Sequence, residues 1–173
     1  MNSFTYFFML QRSLILLKPD AVDRGLVGEI ISRFERVGAA VIGLKMLVAN
    51  KETAMQHYTE DLAKRRGEKV RELMVAMLTS GPIVAIALEG VEIVEVVRKM
   101  VGATEPKSAA PGTIRGDYAH VSFKYADEKA IGVFNLIHAS GSPEEGESEV
   151  KVWFAPEEIV AYSPTYTKYT IAR

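Results

Sequence analysis

Apolar runs alternate with amphipathic stretches along nearly the whole chain, and this alternation constrains the fold more than any other feature. The apolar runs predict buried strands at residues 13–18, 41–48 and 82–88, and a last strand that ends near His138. Helical spacing of apolar residues predicts helices at 27–37, 51–64, 70–78 and 91–101. Alternation of strands and helices by itself suggests a parallel α/β sheet.

One helix start is marked unusually clearly, just after His138. Ser142, Pro143 and Glu145 provide an N-cap, a first-turn proline and a third-position acid in the segment SPEE. A histidine at the end of a strand is therefore followed closely by the amino end of an acidic helix.

Composition excludes several classes of protein. The chain has 173 residues, 48% of them hydrophobic, which suits one domain with a sizeable core. A net charge of −1 is unlike that of a protein whose main partner is nucleic acid. Cysteine is absent, which rules out a disulfide framework and fits a cytoplasmic protein.

The apolar run 4–10 is shorter than the ~20 residues that span a bilayer. We interpret it as an additional strand or docking segment, or as an upstream extension if translation begins at Met9.

Neither common phosphate-binding loop occurs in the sequence. Both GxxxxGK(S/T) and GxGxxG are absent, so side chains must hold any phosphate that this protein binds. Each candidate taken alone also fits a solvated charge or a turn residue. The candidates are Lys18, Arg98, Thr104, Arg115 and Asn135.

Four longer segments give these candidates a common context. They read LLKPDAVDRGLVGEIISRFERVG, SGPIVAIALEG, PGTIRGD and NLIHASGS, in this order and with the capped helix after the last one. The chain thereby resembles nucleoside diphosphate kinases from Leu14 to about Tyr162. The resemblance implies a ferredoxin-like α+β sandwich, in which helices cover a four-stranded antiparallel sheet, instead of the parallel sheet. The whole chain, 1–173, is then one domain with an N-terminal extension, 1–12, and a C-terminal tail from about 163.

The same resemblance implies transfer of the γ-phosphate of a nucleoside triphosphate, typically ATP, to a nucleoside diphosphate through a phosphohistidine on His138. A neutral imidazole, with an ordinary pKa near ~6.5, can attack phosphorus without a separate base if an acceptor holds its other nitrogen. Glu149 fits that second role, because it shares one helical face with Ser142 and Glu145 at the end nearest His138. The family match also assigns Ser140 to support the histidine site.

Further roles come from the same match. Lys18, Tyr58, Arg98, Thr104 and Arg115 are expected at the phosphates or the reacting region, and Asn135 at the ribose. The resemblance implies Mg²⁺ carried mainly by the nucleotide's phosphates, with no protein metal ligand assigned, and a homo-oligomer, either a hexamer or a tetramer.

The sequence departs from the family pattern in three places. Val70 takes the position of the aromatic residue that stacks on the base; if the base lies elsewhere, Phe123 and Tyr125 are the alternatives. The stretch HVSFKYADEK is inserted before Asn135, and we interpret it as a hairpin near the cleft or at a subunit contact. Gly141 stands where an aspartate is common.

The remaining histidines lack comparable surroundings. We interpret His57, on a helix, and His120, in a possible strand, as structural or surface residues whose replacement leaves most of the activity.

Two other functions stay open: a regulatory module that binds nucleotides without turnover, and a nucleic-acid-binding protein. The first is expected to lose the catalytic side chains, and the second to carry a basic, aromatic surface.

Overall fold

The computed structural model describes residues 9–162 and 164–170. Its strands are β1 (Leu10–Leu17), β2 (Ala40–Val48), β3 (Pro82–Val91) and β4 (Ile137–Ala139). Its α-helices are α1 (Pro19–Asp23), α2 (Val27–Arg36), α3 (Lys51–His57), α4 (Glu60–Arg66), α5 (Glu68–Leu78), α6 (Ile93–Val101), α7 (Ile114–Tyr118), α8 (Phe123–Lys129), α9 (Pro143–Trp153) and α10 (Thr167–Thr170). Single 3₁₀ turns lie at Pro106–Ser108 and Pro156–Glu158.

The four strands form one antiparallel sheet in the order β2-β3-β1-β4. In the central pairing Ile15 lies opposite Ile86, and on the other side of β1 Leu16 lies opposite His138. The antiparallel, ferredoxin-like sheet that the resemblance implies is thereby confirmed, and the parallel sheet that alternation suggests is wrong.

Helices cover both faces of the sheet, and this explains why the strands read as continuous apolar runs. Ile15 and Leu17 of β1 point into a core with α2 and α6, whereas Leu14 and Leu16 point into a second core with α3, α5 and α9. All four side chains are fully buried. Because both sheet faces are apolar, the sequence pattern is the one usually found in parallel sheets.

Two predicted elements differ from the structure. The helix predicted at 51–64 is two helices, because the chain leaves helical geometry at Tyr58 and Thr59 occupies the N-cap position of α4. The hairpin predicted for the inserted stretch is wrong, since that stretch contains helix α8, with Ser122 Oγ accepting a hydrogen bond from Tyr125 N–H. His120 also lies outside any strand.

Two further sequence interpretations concern the chain ends and membranes. The apolar run 4–10 lies mostly outside the described residues, and its last residue, Leu10, begins β1. Over 9–162 and 164–170, every helix is too short or too polar to cross a bilayer.

Candidate active site

A cleft of about 1020 Å³ brings the predicted site residues together. It opens where β1 ends and β4 begins, between the α3–α5 region and the segment around Thr104. All of the predicted side chains line it except Ser140, which is fully buried behind the lining. Those that line it are Lys18, Tyr58, Val70, Arg98, Thr104, Arg115, Asn135, His138 and Glu149.

His138, Glu149 and Ser140 form one hydrogen-bonded chain. His138 Nε2 lies 3.0 Å from Glu149 Oε2, and Ser140 Oγ donates to the same oxygen at 2.6 Å. Ser140 Oγ in turn accepts from the backbone N–H of Leu14 at 2.9 Å. Because a carboxylate only accepts hydrogen bonds, the network assigns the imidazole proton to Nε2 and leaves the lone pair on Nδ1.

Close packing of α9 on β1 carries Glu149 to this position. Ser142 caps α9, its Oγ accepting from Glu145 N–H at 3.2 Å, as the sequence predicts. One turn later Gly146 touches the strand: a Cβ there would lie 2.0 Å from the carbonyl oxygen of Arg12. Only glycine allows this approach, and Glu149 follows on the next turn, facing His138.

Asn135 connects Lys18 to the segment that carries Thr104. Lys18 Nζ donates to Asn135 Oδ1 at 2.7 Å, and Asn135 Nδ2 donates to the carbonyl oxygen of Thr104 at 2.8 Å. Lys18 and Asn135 are each only 2% exposed. The next residue, Leu136, has φ of 69°, an unfavourable value for leucine, and its N–H donates to Asp20 Oδ2 at 3.0 Å.

Arg115 is fixed by three backbone carbonyls. Its Nε, Nη1 and Nη2 donate to the carbonyl oxygens of Asn135 (3.2 Å), Gly102 (2.9 Å) and Ile137 (2.6 Å). Arg98 reaches the same cleft from the last turn of α6 and is exposed. One end of the cleft therefore gathers three cationic side chains, Lys18, Arg98 and Arg115.

This crowding of positive charge shifts the pKa values of the site. Burial, together with the Arg115 charge, lowers the pKa of Lys18 to about 7. Burial, with Lys18 and Arg115 nearby, lowers the pKa of His138 to about 3. Burial and the Arg98 charge lower the pKa of Arg115 to about 10. At neutral pH the imidazole of His138 is thus uncharged and the cleft attracts an anion.

His57 joins the site in a way that its sequence context does not indicate. Its side chain is 1% exposed, and its ring centroid is 4.3 Å from that of His138, with the ring planes at 88°. Burial holds the pKa of His57 well below its usual value. His57 is thus structural rather than a surface residue, and the sequence signal that could have placed it near the cleft is its position directly before Tyr58. His120 is exposed.

Tyr58 lies at the inner wall of the cleft. Its side chain is buried, and its hydroxyl has no hydrogen-bond partner within the described part of the chain. Burial, with the Glu149 charge nearby, raises the pKa of Tyr58. Its hydroxyl therefore stays neutral and lies buried beneath the cleft surface.

The cleft wall opposite Lys18, Arg98 and Arg115 carries apolar side chains, next to Arg65 and Arg66 at the end of α4. Val70 lines it from α5 together with Leu73 and Met74, and Phe123 of α8 lines it as well. Tyr125, two residues further on, is 50% exposed and outside the lining. The inserted stretch thus lies at the cleft, one of the two positions expected for it.

One side-chain cluster among the described residues has metal-ligand spacing. The donor atoms of His57, His138 and Glu149 all lie within 4.8 Å of one another. Two imidazoles and one carboxylate suit a transition metal, whereas Mg²⁺ takes oxygen ligands. The cluster therefore does not fit a magnesium site.

Comparison with known proteins agrees with this geometry. A family model described as nucleoside diphosphate kinase matches residues 11–159. A nucleoside diphosphate kinase of Borreliella burgdorferi is 44% identical over 89% of this chain and 93% of that protein. One from Pyrococcus furiosus is 47% identical over 88% of each.

Solved structures give the same result. A transition-state mimic of the Borrelia burgdorferi enzyme with bound vanadate and ADP superposes with a TM-score of 0.92 at 42% identity, covering 94% of this chain and 98% of that one. A halophilic nucleoside diphosphate kinase from Halobacterium salinarum in complex with CDP has a TM-score of 0.78 at 34% identity, covering 92% and 97%.

Proposed function

The chain belongs to the nucleoside diphosphate kinase family and transfers the γ-phosphate of a nucleoside triphosphate to a nucleoside diphosphate, and we propose that His138 carries the phosphoryl group between them. One observation carries this assignment. His138 Nε2 is engaged by Glu149 at 3.0 Å while the ring lines a cleft whose one end gathers Lys18, Arg98 and Arg115.

The proposed reaction has two half-steps. In the first, the Nδ1 lone pair of His138 attacks the γ-phosphorus, the bond to the β–γ bridging oxygen breaks, and the nucleoside diphosphate leaves with that electron pair. In the second, a terminal oxygen of another nucleoside diphosphate attacks the phosphohistidine, and the N–P bond breaks. No separate base is needed, because the imidazole is already neutral at physiological pH.

Glu149 and Ser140 act on the ring rather than on the phosphate. Attack by Nδ1 leaves positive charge on the imidazole, and the carboxylate that accepts from Nε2–H stabilises that charge. The Ser140 hydroxyl donates to the same carboxylate oxygen at 2.6 Å and so fixes the position of the carboxylate. Ser140 is thus a positioning residue.

The cationic end of the cleft suits the transferred phosphate. Phosphoryl transfer needs positioning and neutralisation of charge more than covalent help from the protein. Lys18 offers a point charge, and the guanidinium groups of Arg98 and Arg115 offer forked donors for phosphate oxygens. Thr104 supplies a neutral donor in the same cleft. Asn135, which positions Lys18, keeps one amide hydrogen for the ribose.

Magnesium enters with the substrate. Members of this family use Mg²⁺, and we propose that the nucleotide's own phosphates supply its main ligands. Gly141 offers no side chain for the ion, and the neighbouring Glu145 carboxylate accepts from Gly141 N–H at 2.9 Å. The cytoplasm, where nucleoside triphosphates are consumed, is the compartment that we propose for this activity.

We also propose that the chain forms a homo-oligomer, a hexamer or a tetramer. The support is the edge strand β2, on which Leu44, Met46 and Val48 are 54%, 61% and 65% exposed. An exposed apolar edge strand offers unpaired backbone groups and apolar surface to which another chain can pair. Light scattering of the parent and of Met46→Glu tests this, and a monomeric parent contradicts it.

Labelling tests the catalytic proposal directly. The protein mixed with γ-labelled ATP and Mg²⁺ is expected to form an acid-labile phosphoprotein that GDP or CDP discharges. His138→Ala removes the label, while His120→Ala, which changes an exposed residue, keeps it. Full labelling of a folded His138→Ala variant contradicts the assignment.

A further inference from the structure

The inserted stretch before Asn135 forms one wall of the nucleotide cleft. It contains helix α8, and the residues on one face of that helix, Phe123, Ala126 and Asp127, line the cleft. Tyr125, on the other face, is 50% exposed. The helix is therefore oriented, with one aromatic side chain toward the cleft and one toward solvent.

The beginning of α8 is tied to the segment that carries Thr104. The backbone N–H of Phe123 donates to Glu105 Oε1 at 2.9 Å, and Ser108 Oγ donates to Glu105 Oε2 at 2.7 Å. The backbone N–H of Lys107 donates to the carbonyl oxygen of Val121 at 3.2 Å. Phe123 is thus held directly beside the candidate phosphate-contacting segment.

The segment after α8 is tied to the opposite wall. Ala130 ends the helix in a left-handed conformation, with φ of 51°. Gly132 then packs on α5, where a Cβ would lie 3.0 Å from Met77 Cβ and 3.2 Å from the carbonyl oxygen of Leu73. The insertion is fixed at both ends and spans the cleft from the Thr104 segment to α5.

Phe123 differs from the other apolar side chains of the cleft in being aromatic. The side chains of Val70, Leu73 and Met74 on α5 are aliphatic, and they leave the apolar wall without an aromatic group of its own. Phe123 and Tyr58 are the only Phe, Tyr or Trp among the described lining residues, and Tyr58 is buried near Glu149. The guanidinium carbon of Arg66 lies 5.8 Å from the centre of the Phe123 ring, which helps to orient that ring.

We propose that Phe123 is the aromatic contact for the nucleobase, in place of an aromatic residue at the position of Val70. The proposal rests on the proposed function, since it concerns the base end of the same cleft. The base lies between the ring on the inserted helix and the aliphatic wall of α5. Stacking tolerates every base because each has a π-face, so the enzyme accepts purines and pyrimidines and favours purines for their larger face.

Equilibrium binding tests the proposal without requiring turnover. Calorimetry measures Kd for ADP, GDP, CDP and UDP, and for inorganic tripolyphosphate as a ligand without a base. Phe123→Leu keeps apolar bulk and removes the π-face, while Tyr125→Leu is the matched control on the exposed side of the same helix. Phe123→Leu is expected to raise Kd about 5- to 100-fold for ADP and GDP, and less for CDP and UDP.

Two further measurements distinguish contact with the base from contact with the phosphates. Tripolyphosphate, which has no base, should bind both variants as it binds the parent. Phe123→Trp provides an independent readout, because ADP in contact with the indole should change its fluorescence, whereas Tyr125→Trp should not respond. The natural Trp153 is 3% exposed but its ring centroid lies 5.8 Å from that of His57, so its own response to ADP is measured in the parent and subtracted.

Specific outcomes overturn the proposal. The proposal is wrong if Phe123→Leu binds ADP as tightly as the parent. It is also wrong if Phe123→Leu loses as much affinity for tripolyphosphate as for ADP, because the effect would then lie at the phosphates. A parent that binds nucleotides but never labels His138 overturns the proposed function instead, and the binding series still decides the role of Phe123.

Discussion

The ring of His57 stands perpendicular to that of His138, with 4.3 Å between their centroids. Both ring nitrogens of His57 are buried without a hydrogen-bond partner in the described part of the chain, and Nδ1 is 3.7 Å from Glu149 Oε1. His57 therefore packs against both members of the histidine–glutamate pair and limits how far either can turn.

This contact changes the expectation for His57. His57→Ala should leave a cavity beside His138, lower the free energy of unfolding by about 2–4 kcal/mol and slow phosphorylation. His57→Leu restores apolar volume without the unpaired nitrogens and should recover most of both losses. Denaturant unfolding and single-turnover labelling measure the two effects. Wild-type values for a folded His57→Ala would show that the contact is irrelevant to His138.

Glu149→Gln separates charge from hydrogen bonding. The amide oxygen can still accept from His138 Nε2–H but cannot offset imidazolium charge, so phosphorylation should slow on the order of a hundredfold while the fold is kept. Rapid-quench labelling at saturating ATP gives the rate. Glu147→Gln, on the same helix but exposed, is the control. An unchanged rate in Glu149→Gln would mean that another group stabilises the ring.

The pKa shifts predict an asymmetric pH profile. Lys18 in the free enzyme loses its proton as pH rises through about 7, so kcat/KM should fall toward higher pH. Bound phosphates favour charged Lys18, so kcat should stay nearly flat over the same range. Because the pKa of His138 is lowered to about 3, its protonation should produce no acid limb between pH 5 and 7.

Steady-state kinetics from pH 5 to 9 measure this profile, with circular dichroism as a check on folding. The nucleotide's own terminal phosphate titrates near ~6 and affects all variants equally. A flat kcat/KM up to pH 9 would show that Lys18 stays charged in the free enzyme.

Gly146→Ala tests the packing that delivers Glu149. Its Cβ would lie 2.0 Å from a backbone oxygen of β1, so α9 must move outward, at a cost of about 1–3 kcal/mol. The longer distance between Glu149 and His138 should slow labelling as well. Gly28→Ala, on α2 with no atom within 4 Å of the added Cβ, should be neutral or slightly stabilising. Equal behaviour of the two variants would contradict this account.

Local signals in the sequence predicted much of this structure. Apolar periodicity located the strands and most helices, and the Ser142 cap located α9, because these features depend on neighbouring residues. In the insertion, Val121, Phe123 and Tyr125 alternate as in a strand, whereas Ser122 is the N-cap of helix α8. Local periodicity could not decide between these signals.

Local sequence patterns predicted less of the active site than of the fold. The family resemblance named the residues that line the cleft, but the contact between His57 and His138 joins residues far apart in the chain. No local spacing reports that contact. The residue that contacts the base is likewise not set by local pattern, since Val70 and Phe123 come from separate segments that line one cleft only in the folded protein.

The hydrogen bond between Lys18 and Asn135 closes a loop of 117 residues, and β4, which holds His138, pairs with β1 over only three positions. Contacts of such long range are slow to form during folding. Lys18 and His138 therefore cannot reach their final positions until nearly the whole chain has collapsed and its last strand has docked. During refolding, the ability to be phosphorylated should consequently return later than the circular dichroism signal of the helices. The rate at which activity returns therefore measures the last step of folding.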